Sequence, residues 1–131
     1  RLIFHDSTNK DEMLRMHCES DKPTILISPS MDTGVSFDDD LARFQIIAKI
    51  PYPSLTSQKN KMRMSNNPDW YAWKTVSGFI QMTGRPVRSN KDYADTIILD
   101  ASFGDVMRHS SHFLPNWIQE AIKKINIKTS V

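Results

Sequence analysis

Four short apolar runs separated by segments of helical periodicity constrain the fold of this chain most. The runs lie at residues 2–4, 24–28, 44–48 and 96–99. The run at 24–28 is continuously apolar in its middle and bounded by proline on both sides, which is typical of a strand buried on both faces in a parallel sheet. The runs at 44–48 and 96–99 have the same character. Strands alternating with helices predict an α/β fold with a mostly parallel sheet flanked by helices.

Helix signals lie between and after these strands. Asn9, with Glu12 three residues later, has the pattern of a capping box for the first helix. Asn67 and Pro68 mark the cap and the first residue of a second helix. The apolar residues predicted to share one face of that helix are Trp73, Val76 and Ile80. The last helix begins near Pro115, and its apolar residues at helical spacing are Trp117, Ile118, Ala121, Ile122 and Ile125.

The composition is that of one soluble globular domain. A chain of 131 residues can bury one hydrophobic core but not two, so we expect a single domain over 1–131 with an excursion from the sheet at about 51–67. No apolar run approaches membrane-spanning length, so we expect no membrane partner. The lone cysteine, Cys18, excludes an internal disulfide and a cysteine-cage metal site, and it indicates an intracellular, reducing location.

The loop after the run at 24–28, "PSMDTGVSFDDD", is one of two candidate ligand sites, because ligands of parallel sheets bind beyond the carboxyl ends of the strands. Gly34 would let the backbone approach a phosphate, and Thr33 and Ser36 would donate hydrogen bonds to it. The alternative is a glycine that only makes a turn. We interpret the three aspartates at 38–40 as a solvated loop rather than a metal site.

The second candidate is "QMTGRPVRS", residues 81–89. In a continuous helix, Gln81, Gly84, Arg85 and Arg88 would share one face. Pro86 is expected to break or kink that helix. The two planar guanidinium groups suit bidentate contacts to phosphate, and the alternative is a solvated polar helix end.

Two further polar clusters have open or ordinary interpretations. Lys59, Lys61 and Arg63 form a basic stretch that is either a solvated face or a contact to a nucleic-acid backbone. His109 and His112 are interpreted as loop histidines, because the sequence offers no cysteine besides Cys18 and no obvious carboxylate partner for a metal site. The chain has no G-x-x-x-x-G-K-[ST] phosphate cradle and no nucleophile elbow, so an enzyme complete in this chain is unpersuasive.

These pieces, taken in order, resemble a known family. "QMTGRPVRS" resembles motif VI (Q-x-x-G-R-x-x-R) of superfamily 2 helicases, and "SPSMDTGVSF", followed by "FQIIAKIPYP", occupies the place of motif V. "NKDYADTIILDASF" and then "LPNWIQEAI" are similar to the end of the second motor domain in the XPD and DinG family of DNA helicases. The resemblance implies a RecA-like (P-loop NTPase-like) second helicase domain that is N-terminally truncated, lacking its first strand and helix.

The resemblance also implies roles for individual residues. Arg88 would be the arginine finger on the γ-phosphate of ATP, with Arg85 a second phosphate contact. The residues expected at the ATP cleft are Gln81, Gly84, Gly34 and Ser36. The residues expected to contact nucleic acid are Thr33 and Ser30, to which the charge pattern alone adds Lys59 and Lys61 of the basic stretch.

The remaining partners follow from the same resemblance. ATP with Mg²⁺ would be held mainly by the first motor domain, and an iron–sulfur cluster is possible upstream, with none in this chain. The protein would move 5′ to 3′ along single-stranded DNA, with DNA repair as one setting, in a nucleus or in the cytoplasm of a prokaryote or phage host. Thr33 and Ser36 stand where the family usually has carboxylates. They support the alternative of a catalytically silent nucleic-acid-binding or interaction module with the same fold.

Overall fold

The structure, a computed structural model, describes residues 1–29, 37, 39–87 and 91–125. Helices separate the two strands of each pair along these residues. The elements are β1 (Leu2–Phe4), α1 (Lys10–Cys18), β2 (Ile25–Ile27), β3 (Phe44–Ile47), α2 (Gln58–Asn66), α3 (Pro68–Thr83), β4 (Asp95–Ile98), α4 (Phe103–Ser110) and α5 (Asn116–Ala121), with short 3₁₀ helices at Asp39–Leu41 and Ser111–Phe113. Along the described ranges, no helix is both long enough and apolar enough to cross a membrane.

The chain divides into two compact units. The first contains Arg1–Ile46 and Gln81–Ile97, and therefore α1, the β1–β2 pair and the segment that follows α3. The second contains Ile47–Ile80 and Ile98–Val131, and therefore α2, most of α3, α4 and α5.

Both described strand pairs are parallel. In the first pair, Leu2 of β1 lies opposite Ile25 of β2, and the register continues to the end of both strands. In the second pair, the Asp95 N–H donates to the Arg43 carbonyl at 3.0 Å. The Leu99 N–H donates to the Ile47 carbonyl at 3.0 Å, so the partner numbers rise together from β3 to β4. The predicted α/β class with parallel strands is confirmed.

The prediction that three of the strands are buried on both faces is wrong. Along β3, Ile46 is 54% exposed whereas its neighbour Ile47 is 2% exposed. The same alternation occurs in β2 and β4, and β1 buries only its central residue. Successive strand residues point to opposite faces, so one face of each strand is packed. The elements that the structure describes leave the other face uncovered.

The core of the second unit is built around α3. Phe79 is 1% exposed, and its ring centroid lies 5.0 Å from that of Phe103 at the start of α4. The buried apolar residues of this unit are Ile47, Ile50, Val76, Phe79, Val106, Leu114 and Ile118. Trp73, predicted on the core face, is instead 50% exposed, because α3 directs Thr75, Val76 and Phe79 inward. Ile80 is half-buried.

The two predicted helix starts have different outcomes. α3 begins at Pro68 as predicted, and the Asn67 side-chain oxygen accepts the Trp70 N–H at 3.1 Å. α1 follows Asn9, but the predicted capping box is wrong. The Asn9 carboxamide instead accepts the Asp6 N–H at 2.8 Å, which takes it away from the first turn of α1. Hydrogen bonds from Thr8, its hydroxyl first, lower the pKa of the Asp6 carboxyl group.

The C-terminal third differs from the prediction in two ways. α5 ends at Ala121, so Ile122 and Ile125 do not continue it, and Trp117 is mostly exposed. α4 was not predicted, and it places His109 in a helix rather than in a loop. The signal for α4 was the spacing of Phe103, Val106 and Met107, which gives one apolar helix face.

Candidate functional site

The segment of motif VI leaves the helix before its arginines. α3 ends at Thr83, and a turn follows in which the Arg85 N–H donates to the Met82 carbonyl at 3.2 Å. Pro86 is fully buried immediately afterwards. The expected break near Pro86 is therefore confirmed. Because α3 ends at Thr83, Gly84 and Arg85 do not share a helix face with Gln81. The side chain of Arg85 is instead presented from a turn.

The end of the motif V segment lies against motif VI. The Phe37 N–H donates to the Arg85 carbonyl at 3.2 Å. Phe37 is also held by His17 of α1, whose ring meets it edge-to-face with centroids 5.7 Å apart. Phe37 directly follows Ser36 in the sequence, so this hydrogen bond brings the two segments of the resemblance together within the first unit.

The predicted site residues fall into three groups. Gln81 is exposed in the last turn of α3, and Gly84 and Arg85 are half-buried in the turn that follows. Lys59 and Lys61 are exposed on α2, which belongs to the second unit. The predicted residues that lie outside the described residues are Ser30, Thr33, Gly34, Ser36 and Arg88.

A buried histidine and an exposed serine pair at the start of the motif V segment. His5 follows β1 and is only 7% exposed, and its Nε2 lies 2.7 Å from the Oγ of Ser28, which follows β2. Its Nδ1 lies 3.0 Å from the Asp6 carbonyl oxygen. A carbonyl oxygen only accepts, so Nδ1 carries the proton, and in the neutral ring Nε2 accepts from the Ser28 hydroxyl. The pair links the residue that follows β1 to the residue that follows β2.

Sequence reasoning missed this pair because the two residues are separated by 23 positions. The usable signal was that each follows one of two predicted parallel strands, whose carboxyl ends meet at one sheet edge. The other nitrogen of His5 faces a backbone carbonyl rather than a carboxylate. A nucleophile–base–carboxylate constellation is therefore not completed at His5 by the contacts described.

Asp100 ties together the chain that leaves β3 and the chain that leaves β4. Its carboxylate accepts the Ile50 N–H at 2.8 Å and the Ser102 N–H at 2.9 Å. These bonds, with that from Ile50 first, lower the pKa of the Asp100 carboxyl group. Ile50 belongs to "IPYP" and Asp100 to "IILDASF", so two of the stretches that carry the resemblance meet at a structural clamp.

The "IPYP" stretch also packs closely on α3. A Cβ at Gly78 would lie 3.1 Å from the Pro51 side chain, so the absence of a side chain at Gly78 permits this approach. The Tyr71 hydroxyl donates to the Pro53 carbonyl at 3.1 Å. Burial raises the pKa of Tyr71, which keeps this donor protonated.

The basic stretch of 59–63 lies on α2, a helix with no buried residue. Lys59, Lys61 and Arg63 are all exposed, and the segment Gln58–Asn66 contains no acidic residue. The charges are therefore available to an anionic ligand from solvent.

An iron–sulfur cluster does not fit the residues of this chain. Such clusters are held by four cysteine thiolates, and Cys18 is the only cysteine in the sequence. Burial raises the pKa of the Cys18 thiol, which disfavours the thiolate that would bind metal. Among the side chains that the structure describes, no three of the types His, Cys, Asp and Glu are grouped to hold a metal ion.

Residues 1–121 match the model of the helicase C-terminal domain family. The chain belongs to this family. The segments at 28–37 and 81–89, joined through Phe37 and Arg85, both lie within the matched residues. The predicted resemblance to a RecA-like second helicase domain is confirmed by this match and by the parallel strands.

Individual relatives of this helicase C-terminal domain are distant. It is 23% identical over 146 residues to the ATP-dependent DNA helicase CHL1 of Saccharomyces cerevisiae (strain YJM789), a match that covers 93% of this chain and 17% of the relative. The CHL1 protein of Meyerozyma guilliermondii is 24% identical over 145 residues, with the same coverage of 93% and 17%. The regulator of telomere elongation helicase 1 homolog of Caenorhabditis briggsae is 22% identical over 107 residues, covering 70% of this chain and 10% of the relative. The chain thus spans less than a fifth of the length of these relatives.

Proposed function

We propose that this chain is the second motor domain of an ATP-dependent DNA helicase, which couples ATP hydrolysis to 5′-to-3′ movement along single-stranded DNA and to strand separation. The observation that carries the proposal is the Phe37–Arg85 hydrogen bond, which joins the end of the motif V segment to the middle of the motif VI segment within one compact unit. Membership of the helicase C-terminal domain family supports it, as do relatives that are named ATP-dependent DNA helicases.

The chemical contribution of the chain is positive charge for phosphoryl transfer. Negative charge on the transferring phosphoryl group must be offset, and an arginine from a second domain does this only when the cleft closes. Arg88 has the role of this finger, Arg85 is the second phosphate contact, and Gln81 couples the nucleotide to the motif V segment. Gly84, Gly34 and Ser36 complete this side of the cleft.

The first motor domain supplies the other half of the site. The chain carries no Walker A cradle, so Mg²⁺ and the β- and γ-phosphates of ATP are held mainly by that domain. Hydrolysis then depends on the closed arrangement of the two motor domains, and opening and closing move the DNA strand. An iron–sulfur cluster, where present, belongs to residues other than those of this chain.

The DNA contacts are to the backbone of a single strand. Thr33 and Ser30 would contact the strand from the motif V segment, and Lys59 and Lys61 from α2. Contacts of this kind make binding sensitive to salt and largely independent of sequence. The setting is intracellular, with DNA repair as one pathway.

A second candidate function has a specific observation in its favour. Thr33 and Ser36 occupy positions where the resemblance implies carboxylates, which supports a catalytically silent nucleic-acid-binding module with the same fold. The two functions differ in one measurable property, the hydrolysis of ATP.

The test uses the full-length protein, with and without single-stranded DNA. We expect ATP hydrolysis that DNA stimulates, and unwinding of a duplex with a single-stranded 5′ tail but not of one with a 3′ tail. DNA binding without hydrolysis would establish the silent module instead. Unwinding confined to the 3′-tailed duplex would contradict the polarity while leaving the helicase assignment standing.

A further inference from the structure

The C-terminal end of α2 carries a concavity that the proposed function does not use. The space is about 370 Å³ and is lined by Arg63, Asn66, Asn67 and Trp70. It lies at the junction where α2 ends at Asn66 and α3 begins at Pro68. All four lining residues are exposed or half-exposed, so the concavity is accessible from solvent.

A planar cation and an indole ring form the wall of this concavity. The guanidinium carbon of Arg63 lies over the Trp70 ring, 5.2 Å from its centroid. An arginine in this position has a second, outward face that accepts another flat ring, because the guanidinium group is delocalised and weakly hydrated. The pair is therefore a stacking platform.

The cap of α3 lies beside the platform and orders the backbone there. The Asn67 side-chain oxygen and the Asn67 carbonyl oxygen both accept the Trp70 N–H, each at 3.1 Å. These bonds to the backbone hold the first turn of α3, which carries Trp70. The amide nitrogens of Asn66 and Asn67 are hydrogen-bond donors at the rim, and amides suit the mixed donor and acceptor edges of a base.

Positive charge continues from the platform along α2. Lys59 precedes Arg63 by four residues, which places the two on one face of the helix. A helix of nine residues with three cations, no acidic residue and no buried side chain gains little from the core. The charges of α2 suit a flexible nucleic-acid strand that lies along the helix, because such a strand carries one phosphate per nucleotide.

We propose that Arg63 and Trp70 form a stacking site for a nucleobase of single-stranded DNA, with Lys59 on the adjoining backbone phosphate. The identity of the strand as DNA rests on the proposed function; the base-plus-phosphate chemistry rests on the residues alone. Stacking on a flat face reads no particular base, so the site grips any sequence. A free nucleotide carries the same chemistry, and the experiment separates the two sources.

The experiment measures binding of the full chain to two labelled strands of equal length by fluorescence anisotropy. One is oligo(dT) of about 20 nucleotides, and the other has the same backbone without bases. Trp70→Leu is expected to weaken oligo(dT) binding about 5- to 150-fold, the range for loss of one stacked base, and to leave abasic binding unchanged. Equal weakening of both strands, or no change in either, overturns the stacking site.

A second variant guards against a general effect of Trp70→Leu on folding. Arg63→Met keeps the aliphatic stem on an exposed helix and removes the guanidinium group, and it should again weaken oligo(dT) binding more than abasic binding. Trp117→Leu and Lys74→Met are the matched controls, since both residues are exposed in the same unit. Both controls should bind oligo(dT) as the unaltered chain does. A loss in either control as large as that in Trp70→Leu overturns the assignment.

The source of the base is decided by competition with dTMP. Displacement of oligo(dT) only at dTMP concentrations far above the oligonucleotide dissociation constant supports a strand-binding site. Displacement by dTMP near that constant would make the site one for free nucleotides and overturn the proposal. Failure here is distinguishable from failure of the proposed function, because DNA-stimulated ATP hydrolysis by the full-length protein is measured without reference to Trp70.

Discussion

Different interactions hold two regions of the molecule: the segments that follow β3 and β4, and the segments of motifs V and VI. In the second unit, the side chain of Asp100 binds two backbone N–H groups, and Phe79 is buried beside Phe103. In the first unit, a hydrogen bond between the backbones of Phe37 and Arg85 joins the motif V and motif VI segments. Side chains that hold a scaffold together cannot be substituted without a loss of stability. A segment joined through its backbone can change a side chain without losing that hydrogen bond.

Substitutions in the two regions should therefore affect different properties, stability in one and catalysis in the other. Changes in the second unit should appear as lost stability, because its side chains fill the core. Changes in motif VI should appear as lost catalysis with the fold retained. The predictions below test this division, beginning with the largest expected change in stability.

The largest effect is expected at Phe79. Phe79→Ala should lower the free energy of unfolding by about 3–5 kcal/mol, because it removes a fully buried ring and leaves a cavity. Urea unfolding of the chain, followed by circular dichroism, measures the change.

The matched control for Phe79 is Trp73, six residues earlier on the same helix. Trp73→Ala should cost less than about 1 kcal/mol, because half of that side chain already faces solvent. Equal losses for the two variants would mean that the core face of α3 includes Trp73, as the sequence had indicated.

A smaller effect is expected for Asp100→Asn. The pKa of the Asp100 carboxyl group is lower in the folded chain than its ordinary value. The carboxylate therefore stabilises the fold at pH values above that ordinary pKa. This contribution is lost as pH falls through the lower, folded-state pKa. The variant should therefore be less stable at neutral pH and should lose less additional stability on acidification than the unaltered chain.

Thermal unfolding at a series of pH values measures this difference, with Asp105→Asn as the control on an exposed carboxylate of α4. Parallel curves for the Asp100 variant and the unaltered chain would show that Asp100 does not clamp the two segments.

The sequence predicted the features that depend on near neighbours. Asn67 and Pro68 specify the start of α3 because capping and a proline at the first position act within one turn. The break at Pro86 follows from the same kind of local constraint. The parallel strand pairs were predicted from apolar runs alternating with helices.

Features that depend on distant partners were not predictable in this way. Apolar runs do not show which strand face another element covers, so the exposure of Ile46 could not be read from them. Asn9 has the pattern of a cap, but Asp6 competes for its carboxamide. The stacking of Arg63 on Trp70 requires the chain to turn between two helices, and no spacing rule specifies that turn.

The central claim is that this chain contributes a catalytic arginine to ATP hydrolysis, and not only a folded domain. Its most direct test is the turnover number of full-length Arg88→Ala at saturating ATP and single-stranded DNA, beside Arg15→Ala, an exposed arginine of α1 in the same unit. We predict a loss on the order of a thousandfold or more for Arg88→Ala, with unfolding unchanged, and no loss for Arg15→Ala. Turnover by Arg88→Ala close to that of the unaltered protein would contradict the claim.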